Sequence, residues 1–342
     1  MANRYWVGGN GFWTNTAKWS ATSGGASGAS VPTISDDVFI DANSGTGLYT
    51  VNVQSPAACK SFHATSTSGC TVSMASGTVQ IDGSIEMDDT VTFITGAQIT
   101  LTGSGTLYFG SGTRIINSPL IVDGFGITVT LLSAFSLGGS FTLTSGTFDL
   151  GSYTITVNSF TSTGSSARGI VFGTVGNLNI TNSSNSFTVS GTNFSSSTEP
   201  NARIRMLSSS AKTFNGGGFS YPTLQNYGNG ALTITGSNTF VDLTNYSQPT
   251  TFNFTAGTTQ TLASFGLNGT SGSPVTIQST SAGSQATLSK ASGTVSANWL
   301  TVKDINATGG ATWNAANSID YGNNSGWNIT SPPSSGAFMQ FF

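Results

Sequence analysis

Charged residues are scarce in this chain. Only 7% of its 342 residues are Asp, Glu, Lys or Arg, whereas such residues make up about 25% of an ordinary soluble domain. The ten Lys and Arg cannot form the basic stripe that phosphate contacts need, and the net charge is −3, so nucleic acid is not an expected partner. No apolar run reaches the roughly 18 residues of a membrane-spanning helix, so we expect no membrane insertion.

Residues that favour long helices are also in short supply, because Thr, Val, Ile and Phe stand where a helix would have Glu, Lys, Gln and Leu. The 44 glycines alone would suit a disordered chain. However, 37% of the residues are hydrophobic and 22 are Phe, which is far more apolar surface than disordered segments carry. The composition therefore predicts a folded, nearly all-β protein.

Short runs of alternating apolar and hydroxyl residues fill the middle of the chain, and each ends at Gly, Ser or Asn. This alternation, repeated at a spacing of about 8 to 12 residues, is the signal of β-strands between turns. Clear examples are TVQIDG, QITLTG, SFTLTSG, TITVNSF and ALTITG. We predict an all-β, parallel β-solenoid, because so many short strands lack the long loops and charged edges of a sandwich. A tandem β-sandwich is the alternative.

Tryptophan is confined to the two ends of the chain. The six residues are Trp6, Trp13, Trp19, Trp299, Trp313 and Trp327. Large aromatic side chains are good plugs for the open ends of a solenoid, whose edges must not pair with other chains. The predicted organisation is an N-terminal Trp-rich cap or attachment module at 1–57, a solenoid body at 58–298, closing coils with a C-terminal Trp-rich cap at 299–330, and a Pro/Ser linker with an apolar tail at 331–342.

The last five residues, FMQFF, are a liability if they stay exposed. We therefore expect the tail to dock on a neighbouring subunit or another partner. The candidate partner-docking residues combine this tail with the N-terminal tryptophans and are Trp6, Trp13, Trp19, Phe338, Met339, Phe341 and Phe342.

The few carboxylates do not suggest a catalytic pair. Polysaccharide cleavage needs two carboxyl groups about 5 to 9.5 Å apart, and adjacent residues of a strand point to opposite faces of the sheet. We therefore interpret Asp36, Asp37, Asp88 and Asp89 as turn residues next to strands. The acidic segment IDGSIEMDD is alternatively a calcium site, because hard cations prefer clustered oxygen ligands. We predict no catalytic, cofactor-binding or metal-binding residue and no cofactor.

His63 is the single histidine, which excludes mechanisms with two imidazoles and His-rich zinc sites. Its neighbours, KSFHATSTSG, include no acidic group to orient it, so a surface or turn position is favoured over a general base. Cys59 and Cys70 flank a hairpin-sized segment and could face each other across stacked strands. They form either a disulfide, in an oxidising medium, or two buried thiols that pack as small apolar residues.

Exposed aromatic rings are the feature that carbohydrate binding needs, because sugars stack on them. Sequence alone does not separate exposed rings from buried ones. The candidates in turn-rich settings are Tyr108, Tyr153, Tyr221, Tyr227 and Tyr246.

Both ends of the chain resemble known sequences. The opening segment, RYWVGGNGFWTNTAKWSATSGGASGASVPTISDDVFIDANS, is similar to the leading module of Gly/Ser/Thr-rich β-solenoid surface proteins of bacteriophages and bacteria. The segment that runs from FTAGTTQTLASF to NNSGWNI resembles the closing coils of the same group, and residues 58–245 are similar in texture. Bacterial members usually carry an export signal, whereas phage members begin directly at the module and often end on a short aromatic tail. The first residues, MANRYWVGGNGFW, predict no secretory signal, so the chain follows the phage pattern.

The resemblance implies a non-enzymatic structural protein on the surface of a phage virion, made in the host cytoplasm. We favour a tail fibre or spike that acts in host-surface adhesion. A head fibre or capsid-decoration protein is the alternative, and a polysaccharide-degrading tailspike is disfavoured because acidic residues are sparse. The expected partners are further copies of the chain, with a trimer favoured, other virion proteins of the tail or capsid, and a host surface glycan.

Overall fold

A computed structural model describes residues 2–65, 69–112 and 114–333. It confirms the predicted fold class, because the chain is nearly all β and winds as a parallel β-solenoid of about 13 turns. The chain divides into two compact units. Unit 1 comprises Met1–Asn182 and Ser186–Ile204, and unit 2 comprises Ser183–Asn185 and Arg205–Phe342. This division falls inside the segment 58–298 that the sequence suggests as a single body.

Unit 1 contains a 3₁₀ turn at Thr16–Lys18 and short strands. The strands are β1 Asn3–Trp6, β2 Gly11–Phe12, β3 Trp19–Ser20, β4 Asp37–Ile40, β5 Tyr49–Asn52, β6 Ala57–Cys59, β7 Ser61–Ala64, β8 Cys70–Met74, β9 Thr78–Ile81, β10 Ile85–Met87, β11 Thr92–Thr95, β12 Gln98–Leu101, β13 Gly105–Tyr108, β14 Arg114–Ile116, β15 Leu120–Leu131, β16 Phe135–Leu137, β17 Phe141–Asp149, β18 Thr154–Val157, β19 Phe160–Ser162, β20 Arg168–Val171, β21 Asn177–Ile180, β22 Asn185–Val189 and β23 Phe194–Ser196.

Strand β24, Arg203–Met206, includes the division between the units. The strands that follow are β25 Lys212–Asn215, β26 Ser220–Tyr221, β27 Thr223–Asn226, β28 Leu232–Thr235, β29 Thr239–Phe240, β30 Leu243–Asn245, β31 Thr250–Phe254, β32 Thr259–Leu262, β33 Val275–Ser279, β34 Ala286–Ser289, β35 Thr294–Asn298, β36 Leu300–Lys303, β37 Ile305–Thr308, β38 Thr312–Ala316, β39 Ile319–Asp320 and β40 Trp327–Ile329.

Alternation within each strand sets which side chains enter the core. In β4, Val38 and Ile40 are buried while the residues between them face outward. Val38 pairs in register with Phe62 of β7, so a residue recurs at the same height one coil later. Inward apolar side chains therefore stack on one another, as the rings of Phe141, Phe160 and Phe187 do, with centroids 5.3 and 5.0 Å apart.

Sharp corners between strands require glycine at particular positions. Gly146 interrupts β17 with φ of +85°, and a Cβ built there would lie 2.7 Å from the Gly124 carbonyl oxygen of the preceding coil. Both the left-handed backbone and the close approach exclude a larger residue without rearrangement. Many of the 44 glycines thus belong to the turns that the sequence pattern predicts.

The N-terminal tryptophans form a plug inside unit 1. Strands β1 and β3 pair antiparallel, with Trp6 opposite Trp19, and the indoles of Trp6, Trp13 and Trp19 pack edge to face. The Trp6 indole N–H donates to the Gly9 carbonyl, and the Trp19 indole N–H donates to the Trp13 carbonyl. All three side chains are at most 1% exposed. Their prediction as docking residues is therefore corrected: they close the core and offer no surface to a partner.

Each unit also buries one cation. In unit 1 the Arg168 guanidinium donates to the Ser162 hydroxyl and to the carbonyls of Ser166, Thr192 and Ser190. In unit 2 the Lys212 ammonium donates to two carbonyls, those of Ser208 and Gly230. Both side chains are almost fully buried, although such residues are rarely buried unless they are paired. Backbone carbonyls of neighbouring coils supply the partners here.

Candidate functional site

A column of stacked rings lies on the outer face of unit 1. Tyr5 of β1 pairs in register with Phe39 of β4, and Phe39 pairs with His63 of β7. The Tyr5 and Phe39 ring centroids are 4.9 Å apart at 19°, and those of Phe39 and His63 are 4.9 Å apart at 9°. The strand spacing of about 4.8 Å places outward residues of neighbouring coils at stacking distance. These three residues form what we call the first column.

The column ends at a carboxylate and a cavity. Glu86 of β10 lies opposite His63, and its Oε2 atom is 2.9 Å from His63 Nδ1. Tyr108 of β13 lies opposite Glu86 on the other side. A cavity of about 380 Å³ lies over the outer face of these strands and is lined by His63, Ser84, Glu86, Thr106, Tyr108 and Leu132. We call this cavity the His63 slot.

The expectation that His63 has no acidic partner is therefore wrong. Glu86 lies 23 residues further along the chain and reaches His63 because the two residues occupy equivalent positions in successive coils. The side chains are 24% and 48% exposed, so both remain accessible to a ligand. The hydrogen bond orients the imidazole, while Phe39 supports its ring from behind.

The slot combines ring surfaces with hydrogen-bonding groups. His63 and Tyr108 are two strand spacings apart, about 9.5 Å, and Glu86 lies in register between them. Glu86 accepts hydrogen bonds, the hydroxyls of Ser84 and Thr106 can donate or accept, and Leu132 adds an apolar edge. Such a mixture of apolar walls and a few polar groups is typical of small-ligand sites.

The slot does not contain the groups for glycoside hydrolysis. Glu86 is the one carboxylate among the described residues that line it, whereas hydrolysis by the usual route needs two. The slot can therefore hold a saccharide through stacking and hydrogen bonds, and its described lining residues include no second carboxylate.

Three of the four predicted turn carboxylates, Asp36, Asp88 and Asp89, lie outside the strands, whereas Asp37 is the first residue of β4. Asp36 is buried and accepts hydrogen bonds from the backbone N–H groups of Ala2 and Thr33 and from the Thr33 hydroxyl. Burial raises the pKa of Asp36, but these hydrogen bonds and the nearby Arg4 outweigh it, so the pKa lies below its usual value. The carboxylate stabilises the entry into β4 and faces no cavity.

Asp88 and Asp89 likewise accept hydrogen bonds from nearby backbone N–H groups and hydroxyls. Asp88 accepts from the N–H and hydroxyl of Thr90, and Asp89 accepts from the N–H and hydroxyl of Ser111 in the next coil. The bonds from Ser111 lower the pKa of Asp89. Among the described residues, no group of three or more His, Cys, Asp and Glu side chains could hold a metal ion.

The cysteines do not face each other. Cys59 of β6 pairs with Ile81 of β9, whereas Cys70 of β8 pairs with Tyr49 of β5 in another sheet. Both thiols are free and buried, so the structure holds the second of the two predicted alternatives. Burial raises the pKa of both thiols, that of Cys70 to about 11, and the neutral groups pack as small apolar side chains.

The five candidate tyrosines separate into different environments. Tyr221 is buried, and its hydroxyl donates to the Gly216 carbonyl, so it is not available to a sugar. Tyr108 borders the His63 slot, and Tyr153 is 41% exposed without belonging to it. Tyr227 and Tyr246 stack on each other in unit 2. The apolar tail candidates Phe338, Met339, Phe341 and Phe342 lie outside the described residues.

Comparison with protein-family models, with curated proteins and with solved structures found no match to this chain. The structure therefore defines a fold class for this protein, which is a parallel β-solenoid with a stacked aromatic column on its outer face. Among the described residues, no helix is long and apolar enough to cross a membrane.

Sequence reasoning missed the first column and its carboxylate, although a signal was present. The segments SFHA, SIEM and TLYF, which begin at Ser61, Ser84 and Thr106, share one pattern: a hydroxyl residue, an inward apolar residue, an outward residue and a second inward residue. Aligning these segments brings His63, Glu86 and Tyr108 to one position. The alignment requires the coil length, which varies along the chain and was not predicted.

Proposed function

We propose that this protein is a non-enzymatic adhesive structural protein that binds a saccharide in the His63 slot. The observation that carries the proposal is the slot itself, where His63 and Tyr108 stand on either side of the Glu86 carboxylate. A pyranose that lies over the Glu86 carboxylate can contact both rings. Hydroxyl groups of the sugar can donate to Glu86 and exchange hydrogen bonds with Ser84 and Thr106.

The surrounding fold suits a protein that works outside cells. The body consists of hydrogen-bonded coils, and the chain has only ten Lys and Arg, so trypsin-like proteases have few sites to cut. The resemblance of the two end segments to phage surface solenoids supports a place on the virion. We propose a tail fibre or spike that adheres to the host surface, assembled from several copies of the chain as a trimer.

Saccharide binding is tested with the purified full chain on an array of bacterial surface oligosaccharides, followed by calorimetric titration of the strongest hit. We expect His63→Ala and Tyr108→Ala each to raise Kd by about tenfold or more, since loss of a stacking ring removes about 1 to 2 kcal/mol. Tyr153→Ala is the matched control, because it removes another exposed tyrosine of unit 1 outside the slot. Unchanged thermal unfolding midpoints exclude misfolding of the variants.

Two results would overturn the binding proposal. One is the absence of any bound oligosaccharide, and the other is equal affinity of the wild-type chain and both slot variants. The virion location is tested separately by cryo-electron microscopy of the phage particle that carries this chain. Density on the tail supports the fibre or spike assignment, density on the capsid shell favours a decoration protein instead, and absence from the particle overturns the virion assignment.

A further inference from the structure

Unit 2 presents a second pair of stacked rings on its outer face. Tyr246, directly after β30, stacks on Tyr227, directly after β27, with centroids 4.2 Å apart at 5°. The Tyr246 backbone N–H donates to the Asn226 carbonyl, which holds the two residues in register. The neighbouring Tyr246 hydroxyl raises the pKa of the Tyr227 phenol. Backbone and ring contacts thus hold the two side chains together.

The outer ring of this pair is accessible. Tyr246 is 63% exposed, and among the described residues no ring other than Tyr227 packs against it. Tyr227 supports one face of Tyr246, in the same way as Phe39 supports His63 in unit 1. A large, exposed and rigid ring is costly in water and suits stacking with the apolar face of a sugar.

Polar groups that suit sugar hydroxyls lie near Tyr246. Gln248, two residues further along, donates to the Asn268 carbonyl and accepts from the Thr270 hydroxyl. The Asn245 side-chain amide donates to the same Asn268 carbonyl, so these side chains are oriented by their neighbours. Oriented amides and hydroxyls next to a stacking ring supply the specific contacts of a carbohydrate site.

The charge near this pair is opposite to that in the His63 slot. Arg205 lies in β24. The backbone carbonyl of the residue that follows it, Met206, accepts a hydrogen bond from the Tyr227 backbone N–H. The positive charge of Arg205 opposes the rise in the pKa of the Tyr227 phenol that the Tyr246 hydroxyl causes. Arg205 lies two strands from Tyr246 and two residues before the register position of the tyrosine pair, so their backbone positions are about 11 to 12 Å apart.

We propose that Tyr246, Tyr227 and Arg205 form a second binding site, specific for an acidic saccharide. One sugar ring stacks on Tyr246, and a carboxylate of the same or the next sugar is attracted by Arg205, since guanidinium groups bind carboxylates well. The distance between Tyr246 and Arg205 fits a disaccharide or a longer chain. This inference rests on the proposed function in that it assumes a saccharide-binding surface, but it concerns different residues and a different ligand class.

The test uses the full chain and two matched probes in calorimetric titrations. One probe is a galacturonate tetrasaccharide, and the other is the same tetrasaccharide with each carboxyl group reduced to a hydroxymethyl group. We expect the acidic probe to bind at least tenfold more tightly than the reduced one, and added salt to weaken the difference because it screens the charge. Tyr246→Ala should lower the affinity for the acidic probe about tenfold, and Tyr246→Phe, which keeps the ring, less than about threefold.

Arg205→Gln should bring the affinity for the acidic probe down to that for the reduced probe. Equal affinity of the wild-type chain for both probes overturns the acidic specificity, and this comparison needs no variant that could misfold. Unchanged binding in Tyr246→Ala overturns the site. Tyr153→Ala, which removes an exposed tyrosine outside both sites, should leave binding of the acidic probe unchanged. If instead the array detects a glycan that depends on His63 while the acidic probe does not bind, the second site fails and the proposed function stands. Failure of both kinds of binding overturns both.

Discussion

Units 1 and 2 each carry an exposed aromatic stack and a buried cation, but different residues form these features in the two units. In unit 1 the stack has three rings and ends at a carboxylate and a cavity, and the cation is a guanidinium that donates to the Ser162 hydroxyl and to several backbone carbonyls. In unit 2 the stack has two rings near Arg205, and the cation is an ammonium with two acceptors. The stacking follows from coil register in both units, so we expect the neighbouring polar group to determine which ligand each proposed site favours.

The buried cations give the comparison with the largest expected effect. Arg168→Met should destabilise unit 1 by about 3 to 5 kcal/mol, because it leaves several buried acceptors without a donor. Lys212→Met should cost less, about 1 to 2 kcal/mol, because two carbonyls lose their donor. Hydrogen exchange, monitored at increasing urea concentration, measures the change in the free energy of unfolding of each unit. Equal costs would mean that the number of acceptors does not set the contribution of a buried cation here.

The two units should also respond to alkaline pH in opposite directions. Burial lowers the pKa of Lys212 from its usual 10.5 to about 8. Between these values the unfolded chain binds more protons than the folded one at this site, so the free energy of unfolding of unit 2 should rise with pH. In unit 1 burial raises the pKa of Cys59 and Cys70 above the usual 9.0, so the unfolded chain loses protons first and the stability should fall above about pH 9.

Hydrogen exchange at a series of pH values, resolved by strand, measures these trends in β4 to β9 and in β25 to β31. The rates are corrected for the intrinsic dependence of exchange on pH. Lys212→Met should remove the rise in unit 2, and Cys59→Ala with Cys70→Ala should remove the fall in unit 1. A trend that survives its own substitution would mean that other groups cause it.

Substitution of the rings that stack behind His63 and Tyr246 tests whether those rings contribute to ligand binding. Phe39 does not line the His63 slot, but its ring stacks on His63 from behind, so Phe39→Ala should weaken saccharide binding about threefold to tenfold. Tyr227→Ala should weaken binding at Tyr246 by a similar factor. Titration calorimetry measures both, and Phe39→Tyr should restore affinity because it keeps the ring. Loss of affinity in both Phe39 variants would indicate a general disturbance rather than lost support.

The solenoid was predictable from sequence, whereas the site was only partly so. Alternation marks which residues of β4 or β17 point inward, and it needs no knowledge of which strands pair. The contact between His63 and Glu86 depends on the length of the intervening coil, because a change of one residue would bring Ile85 or Met87 to that position and reverse the face. Coil length is set by turns and bulges distributed along the chain, such as the irregular pairing between Asp123 and Thr128.

The tyrosines illustrate the same limit. Tyr221 and Tyr246 both follow short polar segments, yet Tyr221 is a core residue and Tyr246 is largely exposed. The difference lies in whether each residue falls on an inward or an outward position of the alternating pattern. Tyr221 falls on an inward position, like Phe240, its partner one coil later. Parity relative to the core is visible only when flanking apolar residues alternate clearly, and the segments around these tyrosines do not.

The smallest effect concerns the charge that distinguishes the two sites. Glu86→Gln keeps the shape of the slot and removes the negative charge, so binding of a neutral saccharide should change by less than about threefold, as exposed ion pairs contribute about 1 kcal/mol or less. Binding of the galacturonate tetrasaccharide to the slot should become detectable, because the repulsion between carboxylates is gone. Calorimetry in a Tyr246→Ala background isolates the slot for this measurement. If the acidic probe still does not bind there, charge alone does not distinguish the two sites, and the shape of the slot excludes the acid.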